Sequence, residues 1–122
     1  MAKKILVTED SATMRALIST TLQALGDFEI VEAANGFEAL RMLPREKFDL
    51  VITDINMPDI NGLELVSFIK KNDQYSDIPL FIVSTEGSER DKEKGMSLGA
   101  DAYLVKPFSP TQLQELVRQY LG

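Results

Sequence analysis

Short apolar runs alternate along this chain with segments in which apolar residues recur every three to four positions. Ile5-Leu6-Val7, Leu50-Val51-Ile52, Leu80-Phe81-Ile82-Val83 and Tyr103-Leu104-Val105 are runs of the first kind. Runs this short, set between helical patterns, read as strands buried on both faces. The pattern predicts strands over 4–8, 28–33, 48–53, 79–84 and 101–105. The strand–helix alternation occurs five times with no linker, repeat or low-complexity tract. It implies βαβ units, an α/β class with a mostly parallel sheet, and a single domain over 1–122.

Helix boundaries are marked by cap residues. The first helix follows Ser11, carries Met14, Leu17, Ile18, Leu22 and Leu25 at helical spacing, and stops at Gly26. The second opens at Asn35 with Glu38 three residues on, a variant of the capping box, and runs through Phe37, Leu40 and Leu43 to Pro44. The third begins near Asn61-Gly62 and carries Leu63, Leu65, Val66 and Ile69. The fifth starts Ser109-Pro110-Thr111-Gln112, with a cap, a proline at the first helical position and a glutamine at the third; its stripe is Leu113, Leu116, Val117, Tyr120 and Leu121. The fourth, over 88–98, has only Met96 and Leu98 as clear apolar anchors, and Gly95 costs it roughly 1 kcal/mol relative to alanine. Two readings stay open for it: local mobility, or a solvated face on a fixed helix.

Each apolar run ends in a residue that can do chemistry. The first leads into Glu9-Asp10, the next into Asp54, then Ser84, then Lys106-Pro107. In open parallel sheets, ligands bind just outside the carboxyl ends of the strands. Three carboxylates, a hydroxyl and an ammonium therefore converge on a site for a divalent cation and a phosphoryl group. Mg²⁺ takes oxygen ligands and keeps several waters, so Asp10 and Asp54 suit direct ligation, and Glu9, with its longer reach, suits holding a metal-bound water. Asp54 has a second potential role as a nucleophile that forms an aspartyl-phosphate. Lys106 and Ser84 would then donate to the transferred group's oxygens, and Pro107 would fix the loop, through a cis bond if one forms. Taken singly, each residue has a plainer role: turn aspartate, helix-capping acids, loop lysine, hydrogen-bonding serine, packed Tyr103.

Composition narrows the picture. With 19 acidic against 13 basic residues the net charge is −6, which argues against direct nucleic-acid binding. There is no cysteine, hence no disulfide framework, which fits a cytoplasmic location. There is no histidine, so imidazole catalysis and a phosphohistidine within this chain are excluded. After Met1-Ala2-Lys3-Lys4 come only three apolar residues, too few for a signal-peptide core or membrane insertion.

In order and spacing, Glu9-Asp10, Asp54-Ile55-Asn56-Met57-Pro58 with Gly62, Val83-Ser84-Thr85-Glu86, and Tyr103-Leu104-Val105-Lys106-Pro107-Phe108 resemble the receiver domain of the two-component response regulators, of the CheY-like single-domain type. The resemblance covers essentially the whole chain. It implies a flavodoxin-like (βα)5 doubly wound five-stranded parallel sheet of order 2-1-3-4-5. It further implies that Asp54 is the phosphoacceptor. Glu9, Asp10, Asp54 and the backbone carbonyl of Asn56 would organise Mg²⁺, with Mn²⁺ as a substitute. Ser84 would be the switch hydroxyl, Lys106 the phosphate's partner and Tyr103 an aromatic switch. Asn56 and Glu86 would tune hydrolysis. The implied partners are a histidine kinase as phosphodonor and an output protein on the helix 4–strand 5–helix 5 face, in chemotaxis, motility or a phosphorelay. The implied state is a monomer, with phosphorylation-dependent dimerisation as the alternative. The chain ends at Gly122 directly after the fifth helix, which reads as either a stand-alone regulator or one domain of a longer protein.

Three features depart from the commonest pattern: Glu9 where many members have Asp, Ser84 where Thr is commoner, and Gly95 in the fourth helix. Two rivals remain. An aspartyl-phosphate phosphatase of the haloacid-dehalogenase type would need an acid where Asn56 stands, and a cap insertion that the chain lacks. A degenerate receiver would bind partners without phosphorylation.

Overall fold

The computed structural model describes residues 2–85 and 89–122. In chain order the elements are β1 (Lys3–Thr8), α1 (Ala12–Leu25), β2 (Phe28–Ala33), α2 (Gly36–Met42), β3 (Leu50–Asp54), α3 (Gly62–Lys71), β4 (Leu80–Ser84), α4 (Glu89–Ser97), β5 (Ala102–Val105) and α5 (Pro110–Leu121). Every residue of β3 and β4 is buried, as central strands covered on both faces must be. All pairings are parallel, and the sheet order is β2-β1-β3-β4-β5, the order the family resemblance implies.

Alternate strand residues feed two core layers. Ile5, Val7, Ile52 and Phe81 pack with Ile18 and Leu22 of α1 and with Leu113 and Val117 of α5. Leu6, Val51 and Ile82 pack on the other face with Ala39 of α2 and with Leu65 and Ile69 of α3. Each such fully buried Ile or Leu side chain contributes about 2 kcal/mol of transfer free energy.

The expected caps form. Ser11 Oγ accepts from Met14 N–H, Asn35 Oδ1 from Glu38 N–H, and Ser109 and Gln112 complete a reciprocal capping box. Glu38, however, turns back to Ala34 N–H at 3.0 Å, one residue earlier than a strict box requires. Asn61 and Glu64 form a box of their own on α3. Gly26 ends α1 in extended rather than left-handed backbone. Two expected core residues lie at the surface: Leu17 and Phe37 are 48% and 52% exposed, because each sits at the margin of its helix's apolar stripe. The third strand starts at Leu50; just before it Asp49 accepts from Lys4 N–H through its side chain and donates its own N–H to Lys4 O, and Phe48 packs in the core.

Gly95 bears on the two open readings of the fourth helix and favours the fixed one. It is buried, and a Cβ there would lie 2.6 Å from Ile82 Cδ1. Its missing side chain lets α4 approach β4 closely, so the glycine is a packing position.

Candidate functional site

Register places the chemistry. β1 lies beside β3, with Thr8 opposite Thr53, so Glu9 and Asp10 emerge next to Asp54. Asp54 is the last residue of β3, opposite Val83, and Ser84 ends β4 opposite Val105. Lys106 follows directly, and its N–H donates to Ser84 O at 2.7 Å. Carboxylate oxygens of Glu9, Asp10 and Asp54 all lie within 4.8 Å of one another. Lys106 Nζ contacts Glu9 Oε1 and stands 3.6 Å from Asp54 Oδ1. The Lys106–Pro107 bond is cis.

Burial differs sharply across the cluster. Glu9 and Asp54 are 1% and 5% exposed, and Ser84 is fully buried, whereas Asp10 faces solvent. Burial pushes the Glu9 carboxyl above its ordinary range, against the pull of the Lys106 ammonium and the Ser11 N–H; the nearby Asp54 charge adds to the rise. Asp54 is also pushed up, mainly by desolvation. Lys106 and the Ile55 N–H oppose the rise and Asp10 adds to it, while Asn56 N–H pulls it down again. Buried carboxylates held this close are the arrangement that a divalent cation relieves. The donors are all hard oxygens, with no nitrogen or sulfur ligand among them, which suits Mg²⁺-type coordination.

Gly62 explains how Asp54 is presented. A Cβ at Gly62 would lie 1.9 Å from Asp54 O, while Gly62 N–H donates to Ile55 O at 2.8 Å. Only glycine lets the start of α3 sit against the backbone leaving β3. Asn56 is exposed beside it, and Tyr103, paired with Ile82 in register, is half-buried against the α3-side core. Glu86 lies outside the described residues.

Sequence reasoning missed the residues that hold the acidic turn. Arg15 Nη1 donates to Glu9 O at 2.8 Å, and Arg15 Nε to Glu32 Oε1 at 3.0 Å. Ser11 N–H donates to Glu9 Oε2 at 3.0 Å, and Glu9 N–H to Ala33 O. The available signal was weak: an arginine one turn past a helix cap, opposite a strand glutamate. Thr8 was also missed. Its hydroxyl is buried without a hydrogen-bond partner among the described residues.

Residues 5–118 match the family model described as the response regulator receiver domain. The chain is 42% identical over 120 residues to a chemotaxis protein CheY homolog of Campylobacter jejuni, covering 98% of this chain and 92% of that protein. It is 38% identical to chemotaxis protein CheY1 of Helicobacter pylori, covering 98% and 97%. The crystal structure of Vibrio cholerae chemotaxis protein CheY4 superposes with a TM-score of 0.91 at 37% identity, covering 99% of this chain and all of that one.

Proposed function

The chain belongs to the response regulator receiver domain family, and from that premise we propose that Asp54 is the phosphoacceptor of a two-component signalling switch whose single receiver domain spans 1–122. The carrying observation is the convergence of Glu9, Asp10, Asp54 and Lys106 at one end of the sheet. A histidine kinase presents phosphohistidine; an Asp54 carboxylate oxygen attacks phosphorus, the P–N bond breaks, and imidazole leaves. Ile55 N–H orients the nucleophile through Oδ1 at 2.8 Å. Glu9, Asp10, Asp54 and the Asn56 carbonyl would hold Mg²⁺, or Mn²⁺ in its place, and the bound ion supplies charge neutralisation for the phosphoryl oxygens. Lys106 pairs with one of those oxygens.

Ser84, at the end of β4, closes its hydroxyl onto the new group, and Tyr103 turns inward behind it. Asn56 and Glu86 set how fast water removes the phosphoryl group, so self-phosphorylation and self-dephosphorylation are the only chemistry. The change is read on the α4–β5–α5 face, where Met96 and Val105 are exposed, 39% and 45%. The relatives' names support chemotaxis as the pathway. The protein acts in the cytoplasm as a monomer; among the described residues no helix is long and apolar enough to cross a membrane.

Beryllofluoride, which mimics a phosphoryl group on a carboxylate, tests the reading. With Mg²⁺ present it is expected to move the amide signals of Asp54, Ser84 and Lys106 and then those of α4, β5 and α5. Shifts that survive in Asp54→Asn, or that stop at the site, would contradict the switch.

A further inference from the structure

The end of the sheet opposite Asp54 carries a cavity that the phosphoryl chemistry does not use. It has a volume of about 420 Å³ and lies between the α2–β3 loop, 43–49, and the α3–β4 loop, 72–79. Small-molecule sites run from roughly 300 to 1,000 Å³, with an apolar lining and a few convergent polar groups. Leu43, Phe48 and Tyr75 line this one and are themselves buried, so the cavity reaches down to the α3-side core. β3 separates it from the acidic cluster: Asp49 directly precedes the strand and Asp54 ends it.

Both walls are held in place. Lys70 Nζ, from α3, donates to Ser76 O at 3.2 Å and to Ile78 O at 2.7 Å, and Ile78 N–H donates to Tyr75 O. Phe68 stands against Tyr75, with ring centroids 6.4 Å apart, and helps fix that ring. On the other wall Arg45 N–H donates to Met42 O at 3.0 Å and Asp49 N–H to Lys4 O at 2.7 Å. A cleft formed before its ligand arrives needs little ordering on binding.

Charge selects the occupant. The charged side chains of the lining are Arg45, Glu46, Lys47 and Asp49. Lys4 engages both acids: its ammonium lies 2.7 Å from Glu46 Oε1, and its N–H donates to Asp49 Oδ2. Arg45 and Lys47 are exposed, and among the described residues neither has a carboxylate within ion-pair distance. The α2 dipole does not need them, because Arg41 already occupies its last turn. With Lys4 included, three cations face two carboxylates. Glu29 also reaches Lys4, at 3.7 Å, but it is largely exposed and lines no part of the cavity. One positive charge is left beside an aromatic floor, in a chain of net charge −6. That balance suits a monoanion with a flat apolar body, hence a carboxylate rather than a doubly charged phosphate. We propose that this cleft binds a small aromatic carboxylate, with its ring against Phe48 and Tyr75 and its carboxylate on Arg45 and Lys47.

The test follows amide signals of ¹⁵N-labelled protein during titration with benzoate, 2-naphthoate and indole-3-acetate. Two controls divide the recognition: 2-naphthylmethanol keeps a ring without the charge, and acetate keeps the charge without a ring. At least one aromatic carboxylate should move the amides of Phe48, Asp49, Gln74 and Tyr75 along a single saturable isotherm. The alcohol and acetate should each bind at least about tenfold more weakly, since each retains half of the contacts. The double variant Arg45→Gln/Lys47→Gln alters two exposed positions and leaves the apolar floor intact. Its affinity for the aromatic carboxylate should fall about tenfold, with the unfolding midpoint of the ligand-free protein unchanged. The first titration needs no variant, so it decides the matter even if the double variant fails to fold. Absence of saturable shifts up to about 10 mM with all three carboxylates would overturn the proposal. So would shifts centred on another part of the surface, equal binding of the alcohol, or an undiminished affinity in the folded double variant.

Discussion

Replacing Gly62 by alanine sets two effects against each other. Alanine is the better helix former by about 1 kcal/mol, and position 62 opens α3, so propensity alone predicts a more stable protein. The geometry predicts the reverse. The added Cβ would lie 1.9 Å from Asp54 O and 2.7 Å from both Asp54 C and Ile55 Cα. These are backbone atoms, fixed by the pairing of Asp54 with Val83, so no side-chain rotation relieves the clash. Relief requires α3 to move away. That breaks the Gly62 N–H bond to Ile55 O, worth about 1 kcal/mol. It also strains the Asn61–Glu64 capping box, worth about 1 kcal/mol, and leaves residual overpacking of about 2 kcal/mol. The net expectation is a loss of about 3 kcal/mol after the propensity gain. For a chain of this size that lowers the unfolding midpoint by roughly 10 °C or more. Thermal unfolding followed by far-ultraviolet circular dichroism measures it. Because the displaced atoms belong to Asp54, phosphorylation by acetyl phosphate should also fall at temperatures where the variant is folded. A midpoint unchanged or raised would refute the steric argument.

Three further outcomes follow from the same structure. Glu9 and Asp54 titrate above their ordinary range in the folded state, so the folded protein takes up protons before the unfolded chain does. Their contribution to stability is therefore fully present below the unfolded-state values and is lost as pH rises through the folded-state values. Urea midpoints of metal-free protein should accordingly gain less on mild acidification in Asp54→Asn than in the unaltered protein; equal gains would contradict the assignment. Thr8→Val removes a buried hydroxyl that has no partner among the described residues and should stabilise the fold by about 1 kcal/mol, read from chemical denaturation. Arg15→Ala should weaken Mg²⁺ binding several-fold with helix content unchanged, since Arg15 holds the Glu9 carbonyl and touches no carboxylate of the cluster; unaltered affinity would show that the acidic turn holds itself.

The strand ends were legible because burial on both faces demands an unbroken apolar run, and a polar residue that breaks it must sit at an edge or an end. Asp54 shows how fine that reading is: it lies inside β3 as the last paired residue, one position beyond the expected strand end. Caps were legible because Ser11, Asn35 and Ser109 satisfy donors within three residues of themselves. What escaped depends on contacts far apart in sequence. Nothing local marks Arg15 as the residue that holds the Glu9 carbonyl, or Lys106 as preferring Glu9 to Asp54. The packing role of Gly95 was not legible for the same reason. Helix propensity is a local quantity, whereas the closeness of Ile82 to α4 is a property of the assembled layers. Leu17 and Phe37 share the helical spacing of their buried neighbours, and spacing alone does not say where the margin of a stripe meets water.

The central claim is that Asp54, among the 19 acidic residues of the chain, carries the phosphoryl group. Borohydride cleaves an acyl phosphate and leaves a reduced side chain at the modified residue, which peptide mass mapping locates. After incubation with acetyl phosphate and Mg²⁺, the mark is expected at Asp54 alone, dependent on the metal and absent from Asp54→Asn. A mark on another carboxylate, or equal labelling of Asp54→Asn, would contradict the account.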